Sequence, residues 1–149
     1  MHEINVRTQV PYSIYIDAGL FSQAKPVVDA CLQLAQTQVI VCDKAVEERY
    51  AKPIQQCFLD AGMTCYLLSF PGGETHKTRE QKQALENEMF MLNCNRDTCI
   101  IAIGGGVTTD LAGFIAATFC RGLPLVYMPT TLLSMVDASI GGKTGVNTR

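Results

Sequence analysis

Short apolar runs alternate with amphipathic stretches along most of the chain. Four runs rich in β-branched and other apolar residues predict strands, at residues 39–42, 64–70, 98–103 and 125–128. Residues 99–103 are apolar without alternation, which is typical of a strand covered on both faces. The sequence therefore predicts a buried sheet at the centre of the fold.

Helical patterns separate these runs, at residues 21–34, 45–61 with an interruption at Pro53, 79–92 and 107–119. Strands that alternate with helices run parallel, because parallel neighbours need crossover connections. Two alternating runs at residues 2–8 and 10–16 add a predicted β-hairpin at the start. The predicted fold class is α/β, a doubly wound, mostly parallel Rossmann-like sheet with an N-terminal hairpin.

The composition narrows the class of protein. The 149 residues are 48% hydrophobic and 17% charged, which suits one compact domain. The formal net charge of -2 and the scattered Lys and Arg argue against nucleic acid as a partner. Seven cysteines without a Cys-x-x-Cys pair, several in apolar runs (Cys42, Cys65 and Cys99), predict reduced core residues. With neither a signal peptide nor a membrane-spanning run in the sequence, we expect a cytoplasmic protein and no membrane partner.

The third apolar run ends in three glycines, residues 104–106, followed by a predicted helix with Asp110 in its first turn. Glycines let the main chain approach a ligand closely, and a helix start offers N–H groups and partial positive charge to an anion. The run therefore predicts a phosphate cradle and a nucleotide ligand. A tight strand-to-helix turn is the alternative, since Thr109 stands where the third glycine of G-x-G-x-x-G would fall.

The other strand ends also carry polar residues, which meet at one edge of a parallel sheet. They are Asp43, Glu74 with Lys77 behind Gly72-Gly73, and the pair Thr130-Thr131. Each has a structural alternative: Asp43 and Thr130 can cap helices, and Glu74 can pair with Lys77. Asp137 stands in an otherwise apolar stretch, so we expect a pocket in which Lys143, a ligand hydroxyl or N–H groups compensate its charge.

Several ordered blocks resemble the amino-terminal half of 3-dehydroquinate synthase. They are residues 104–117, Arg121-Gly122, residues 129–133, residues 136–139 and residues 141–144, with a weaker likeness to that family's Asp-Gly-Glu-x-x-Lys loop at residues 72–77. The chain departs from the family at Thr109, Gly72 and His76, where members often carry glycine, aspartate and tyrosine.

The resemblance implies an enzyme of the shikimate pathway that converts 3-deoxy-D-arabino-heptulosonate 7-phosphate, a sugar phosphate, into 3-dehydroquinate and phosphate, with NAD and zinc or cobalt. NAD takes up a hydride and returns it within one turnover. The implied cofactor contacts are Asp43, Glu74, Lys77, Gly105, Gly106, Val107, Asp110, Thr130, Thr131 and Lys143. The implied catalytic residues near the substrate are Arg121, Asp137 and Lys143, although Arg121 also suits a helix C-terminus beside Gly122.

The family's metal ligands, a glutamate and two histidines, lie in a helical second domain that we expect after Arg149. Residues 1–149 are thus expected to be an NAD-binding domain without a metal site, because His2 and His76 are its only histidines. Alone, this domain is expected not to turn over substrate. The family also implies a homodimer in which Arg121 serves a neighbouring pocket. Another sugar-phosphate cyclase, a metal-dependent polyol dehydrogenase and a noncatalytic nucleotide-binding module are the alternatives.

Overall fold

The chain begins with an antiparallel hairpin of two strands, β1 (His2–Val6) and β2 (Tyr12–Ile16), as the alternation predicts. The structure is a computed structural model that describes residues 1–148. Four further strands form a parallel sheet in the order β4-β3-β5-β6. They are β3 (Thr37–Asp43), β4 (Thr64–Phe70), β5 (Thr98–Gly104) and β6 (Leu125–Pro129). The predicted α/β class and all four predicted central strands are confirmed.

Helices connect the parallel strands on both faces of the sheet. They are α1 (Lys25–Leu32), α2 (Lys44–Val46), α3 (Lys52–Asp60), α4 (Arg79–Met91) and α5 (Gly106–Thr118). The predicted interruption at Pro53 is wrong. Proline fits the first turn of α3, where its missing N–H has no intrahelical acceptor, and the irregular part is a π-helical turn at Glu47–Ala51 just before it.

Two apolar layers cover the sheet, one on each face. Ile40 and Ile101 pack with Phe58 of α3 on one face, and Val39 and Leu111 share the other. All seven residues of β5 are buried, which explains why residues 99–103 lack alternation. Burying each large apolar side chain contributes about 1.5–3 kcal/mol, so the sheet is a rigid platform for the loops at its edges.

Five of the seven cysteines are buried free thiols within these layers, as predicted for Cys42, Cys65 and Cys99. Burial raises the pKa of Cys42 and of Cys65 to about 12, because the apolar surroundings disfavour the thiolate. No helix within residues 1–148 is long and apolar enough to cross a bilayer.

Candidate functional site

Four loops meet beyond the carboxyl ends of β3, β4, β5 and β6, and direct contacts join them. The Thr130 N–H donates to the Gly104 carbonyl at 2.9 Å, which ties the loop after β6 to the end of β5. The Thr108 hydroxyl donates to Asp43 Oδ2 at 3.4 Å, which links α5 to the end of β3. The polar strand ends predicted from the sequence therefore form one cluster.

The start of α5 is open at the centre of this cluster. Gly105 has an extended backbone before the helix, and among residues 1–148 no side chain caps the helix. The first intrahelical bond is donated by Thr109 N–H to the Gly105 carbonyl, so the N–H groups of Gly106, Val107 and Thr108 lack a main-chain acceptor one turn back. Three such donors and the positive end of the helix dipole are what an anionic ligand requires.

The glycines before α5 are needed for close packing as well as for access. A Cβ at Gly104 would overlap the Thr108 side chain, and a Cβ at Gly105 would lie 3.2 Å from Thr131 Cγ2. Thr109, which stands where family members often carry glycine, fits inside the helix. It is fully buried, and its hydroxyl donates to the Gly105 and Gly106 carbonyls at 3.3 and 3.0 Å. Thr109 therefore offers no hydroxyl proton to a ligand.

Asp110 lies in the second turn of α5 and not in the first, because the helix begins at Gly106. Its carboxylate pairs with Lys77 Nζ from the loop after β4. The expected alternative pair of Glu74 with Lys77 is absent from residues 1–148. Glu74 instead accepts from the Asn147 side-chain amide at 2.9 Å.

Asp43 caps α2 by accepting from the Ala45 N–H at 2.9 Å, so the capping alternative is confirmed. The cap occupies one carboxylate oxygen, and the other lies at the cluster beside Thr108. The Gly72 backbone approaches so closely that a Cβ there would lie 3.1 Å from Asp43 Cβ. Free lone pairs on this carboxylate remain available to ligand hydroxyls.

The capping residue of the loop after β6 is Thr131, whose hydroxyl accepts from the Ser134 N–H at 3.2 Å. The structural alternative for Thr130, that it caps this helix, is not what the structure has, since Thr131 is the cap and the Thr130 N–H donates to the end of β5. The π-helical turn that follows, Ser134–Ala138, packs over the glycines, and a Cβ on Gly106 would lie 3.7 Å from Ala138 Cβ.

The structure does not place Asp137 in a buried polar pocket, and that expectation is wrong. Asp137 and Lys143 are both exposed, and within residues 1–148 they form no ion pair with each other. The neighbouring Leu132 and Val136 are 76% and 67% exposed, so the apolar stretch on which the prediction rested is a surface here. Asp137 nevertheless adjoins Ala138, whose Cβ would lie 3.7 Å from a Cβ built on Gly106.

Arg121 lies away from the cluster of its own chain. It follows α5, whose 13 residues span about 20 Å from the glycine loop to the opposite edge of the sheet. Cys120 and Arg121 have positive φ of 50° and 71°, and Gly122 continues the turn with φ 114°. Arg121 is exposed in this left-handed turn after the helix C-terminus. This agrees with the structural alternative, in which Arg121 is a charge at a helix C-terminus beside Gly122.

Two side chains at the cluster are missing from the sequence-based prediction. Thr108 bonds to Asp43, and Asn147 bonds to Glu74. Thr108 is the second residue after the three glycines, and its position at the predicted helix start was an available signal. Asn147 contacts a residue 73 positions earlier, and no spacing rule points to it. His76 is half-buried, with Nδ1 at 3.0 Å from the Gly72 carbonyl, and it braces the same loop.

Together the parallel sheet, the open helix start and the polar strand ends define a Rossmann-like domain of the nucleotide-binding type. The family model described as 3-dehydroquinate synthase N-terminal matches residues 67–149. The chain belongs to the 3-dehydroquinate synthase family.

Individual relatives agree with this assignment. The chain is 41% identical over 136 residues to the 3-dehydroquinate synthase of Symbiobacterium thermophilum, covering 91% of this chain and 38% of that protein. The chain thus spans less than half the length of this curated relative.

Solved structures share the fold. The 2-epi-5-epi-valiolone synthase of Streptomyces hygroscopicus, with NAD+ and Zn2+ bound, is 29% identical with a TM-score of 0.82, over 97% of this chain and 39% of that one. The glycerol dehydrogenase of Schizosaccharomyces pombe is 28% identical with a TM-score of 0.58, over 74% and 25%.

Within residues 1–148, no group of three or more His, Cys, Asp or Glu side chains is arranged to hold a metal ion. The polar groups of the cluster instead suit a phosphate-containing organic ligand. They comprise unpaired N–H donors, a lysine paired with an aspartate, and an accepting carboxylate at a strand end.

Proposed function

We propose that residues 1–149 form the NAD-binding domain of a 3-dehydroquinate synthase, the enzyme that converts 3-deoxy-D-arabino-heptulosonate 7-phosphate into 3-dehydroquinate and phosphate. The open amino terminus of α5 behind the glycines supports this proposal most directly. Its family membership and the bound NAD+ of a structural relative point the same way. The zinc or cobalt ligands of the whole enzyme would lie in a further domain.

In this proposal the cofactor's pyrophosphate contacts Gly105, Gly106 and Val107 and accepts from the unpaired N–H groups of Gly106, Val107 and Thr108. These groups carry a partial positive charge that does not depend on a flexible side chain. Asp43 accepts hydroxyls of the adenosine ribose with its remaining lone pairs. Asp110 is the one acidic residue of α5, and its pairing with Lys77 reduces its repulsion of the pyrophosphate.

The other proposed contacts surround this cradle. Glu74 and Lys77 hold the cofactor from the loop after β4, and Thr130 and Thr131 border it after β6. Lys143 is an exposed ammonium that binds cofactor or a carboxylate or phosphate of the substrate, and Asp137 accepts a substrate hydroxyl. When bound, NAD supplies a reversible hydride acceptor. The residues of this chain bind and orient it.

Arg121 takes a different part in the proposal. Because it lies at the far end of α5 from the glycines, we infer that it serves a substrate in a neighbouring subunit of a homodimer formed through this domain. We place the enzyme in the cytoplasm with a sugar phosphate as its substrate and without a nucleic-acid or membrane partner.

The proposal is tested by titrating NAD into the purified chain in a calorimeter and then assaying phosphate release from the heptulosonate phosphate with NAD and zinc. We expect saturable binding of one NAD per chain without phosphate release, since the metal site is assigned to another domain. Absence of NAD binding would contradict the cofactor assignment. Phosphate release by the chain, free of contaminating enzyme, would contradict the division of roles between domains.

A second candidate is another sugar-phosphate cyclase, which the likeness to the valiolone synthase favours. It would retain NAD binding and differ in the sugar phosphate consumed. A polyol dehydrogenase is less well supported, since the glycerol dehydrogenase match covers a smaller part of the chain. Incubating the full-length enzyme separately with the heptulosonate 7-phosphate and with other heptulose phosphates, followed by product analysis, distinguishes the cyclases.

A further inference from the structure

We propose that Asn147 is a positioning residue that holds the loop from Glu74 to Lys77 in the geometry that receives the cofactor. The inference rests on the proposed NAD binding at this loop. It assigns a role to the segment after Lys143, whose side chains have no place in the cofactor contacts described above.

Asn147 holds the loop through both its side chain and its main chain. Its amide Nδ2 donates to Glu74 Oε1 at 2.9 Å and lies 3.4 Å from the Glu74 carbonyl. Its backbone N–H donates to the Lys77 carbonyl at 2.8 Å, and it forms a parallel bridge with Thr78. One residue thus contacts both ends of the short 3-10 turn Glu74–His76 that carries the proposed cofactor contacts.

The loop needs such an external contact because little else fixes the Glu74 side chain. Glu74 is exposed, and Gly73 before it has φ 97°, a conformation open to glycine but strained for other residues. The hydrogen bonds within the turn, such as the Lys77 N–H to the Glu74 carbonyl at 3.2 Å and the His76 N–H to the Gly73 carbonyl at 3.0 Å, fix the backbone and leave the Glu74 side chain free. Without Asn147, the Glu74 carboxylate would sample several rotamers.

The segment that carries Asn147 is itself anchored on α5. Gly145 N–H approaches the Asp110 carbonyl at 3.4 Å, and Val146 packs against the apolar layer. Thr144 lies so close to α5 that a Cβ at Gly113 would overlap it. The anchor is therefore the same helix whose amino terminus receives the pyrophosphate, so Asn147 fixes the loop relative to the cradle.

The test uses the wild-type chain and four variants: Asn147→Asp, Glu74→Gln, the double variant with both changes, and Asn87→Asp. The Asn147→Asp change removes the donor to Glu74 and places a second carboxylate beside it, so we expect NAD affinity to fall about fivefold to tenfold. In the double variant, the amide introduced by Glu74→Gln can donate to the carboxylate introduced at position 147, which restores the bond with its direction reversed. In the Glu74→Gln background, the Asn147→Asp change should therefore alter the affinity less than about twofold.

Asn87→Asp is the matched control, because it makes the same change at an exposed position on α4 and should leave the affinity unchanged. Main-chain bonds of residue 147 persist in every variant, so thermal unfolding midpoints should agree. Equal affinity losses from Asn147→Asp in the wild-type and Glu74→Gln backgrounds would overturn the positioning role, as would no loss in either. If the wild-type chain does not bind NAD, the proposed function is contradicted, and the positioning role of Asn147 is contradicted as well.

Discussion

Lys77 Nζ lies 2.5 Å from Asp110 Oδ2, and the two side chains are only 17% and 23% exposed. This ion pair joins the loop after β4 to the second turn of α5. It also keeps the Asp110 carboxylate from acting as a free negative charge near the helix start that we assign to the pyrophosphate. The charge at the start of α5 therefore depends on the position of Lys77 in the loop after β4.

Replacing Lys77 with methionine should weaken both the fold and the cofactor site. The change leaves a largely shielded carboxylate without its cation, so we expect the free energy of unfolding to fall by about 1–3 kcal/mol. NAD affinity should fall at least about tenfold, because Asp110 then repels the pyrophosphate. Urea unfolding and calorimetry measure the two effects.

Lys82→Met is the control, since Lys82 and Glu86 form an ion pair of similar exposure within α4, at 14% and 19%. It should lower stability without a comparable loss of NAD affinity. Equal losses of affinity in both variants would show that Lys77 acts only through stability.

Removal of the Thr131 hydroxyl should cost the cap of the segment that follows it. Thr131→Ala leaves the Ser134 N–H without its acceptor, so we expect a loss of about 1 kcal/mol in the free energy of unfolding. Thr131→Ser keeps the oxygen and should retain most of the stability. A serine variant as unstable as the alanine variant would contradict the cap and point to the methyl group beside Gly105.

Arg121→Gly should stabilise the chain while leaving NAD binding unchanged. Arg121 has φ 71°, which costs a side chain about 1 kcal/mol that glycine avoids. It also lies at the edge of the sheet opposite the cradle, so the cofactor cannot reach it in the same chain. A thermal scan and an NAD titration check both statements, and a large loss of NAD affinity in a monomeric sample would contradict this placement.

The buried thiols predict a specific dependence of stability on pH. Burial raises the pKa of Cys42 to about 12, whereas its ordinary value is 9.0. Its contribution is therefore complete below pH 9 and is lost as the pH rises toward 12, by up to about 1.4 kcal/mol per pH unit. Cys42→Ala should flatten the loss of unfolding free energy over this range relative to wild type. Parallel curves for the two proteins would contradict the assigned pKa.

Much of the fold was predictable because apolar patterning is a local property. The run 99–103 is typical of a strand covered on both faces, and β5 is buried throughout. The predicted interruption at Pro53 was wrong because proline is compatible with a first helical turn as well as with a helix break. The π-helical turn before it has no recognisable sequence pattern.

The site was predictable as far as parallel strands bring their ends together. Asp43, Lys77 and Thr131 follow that rule. Asp137 does not, since an apolar run of sequence does not distinguish a buried stretch from an exposed one, and Leu132 is 76% exposed. The contact of Asn147 with Glu74 depends on how the last segment crosses α5, which no local pattern encodes.

The most direct test of the cradle follows the backbone amides of 15N-labelled chain by NMR during an NAD titration. We expect the amide resonances of Gly105, Gly106, Val107 and Thr108 to shift most and to saturate together with NAD binding. Inorganic pyrophosphate should shift the same amides. Unperturbed α5 amides at saturating NAD, with the largest shifts elsewhere on the chain, would contradict the claim that this helix start binds the cofactor.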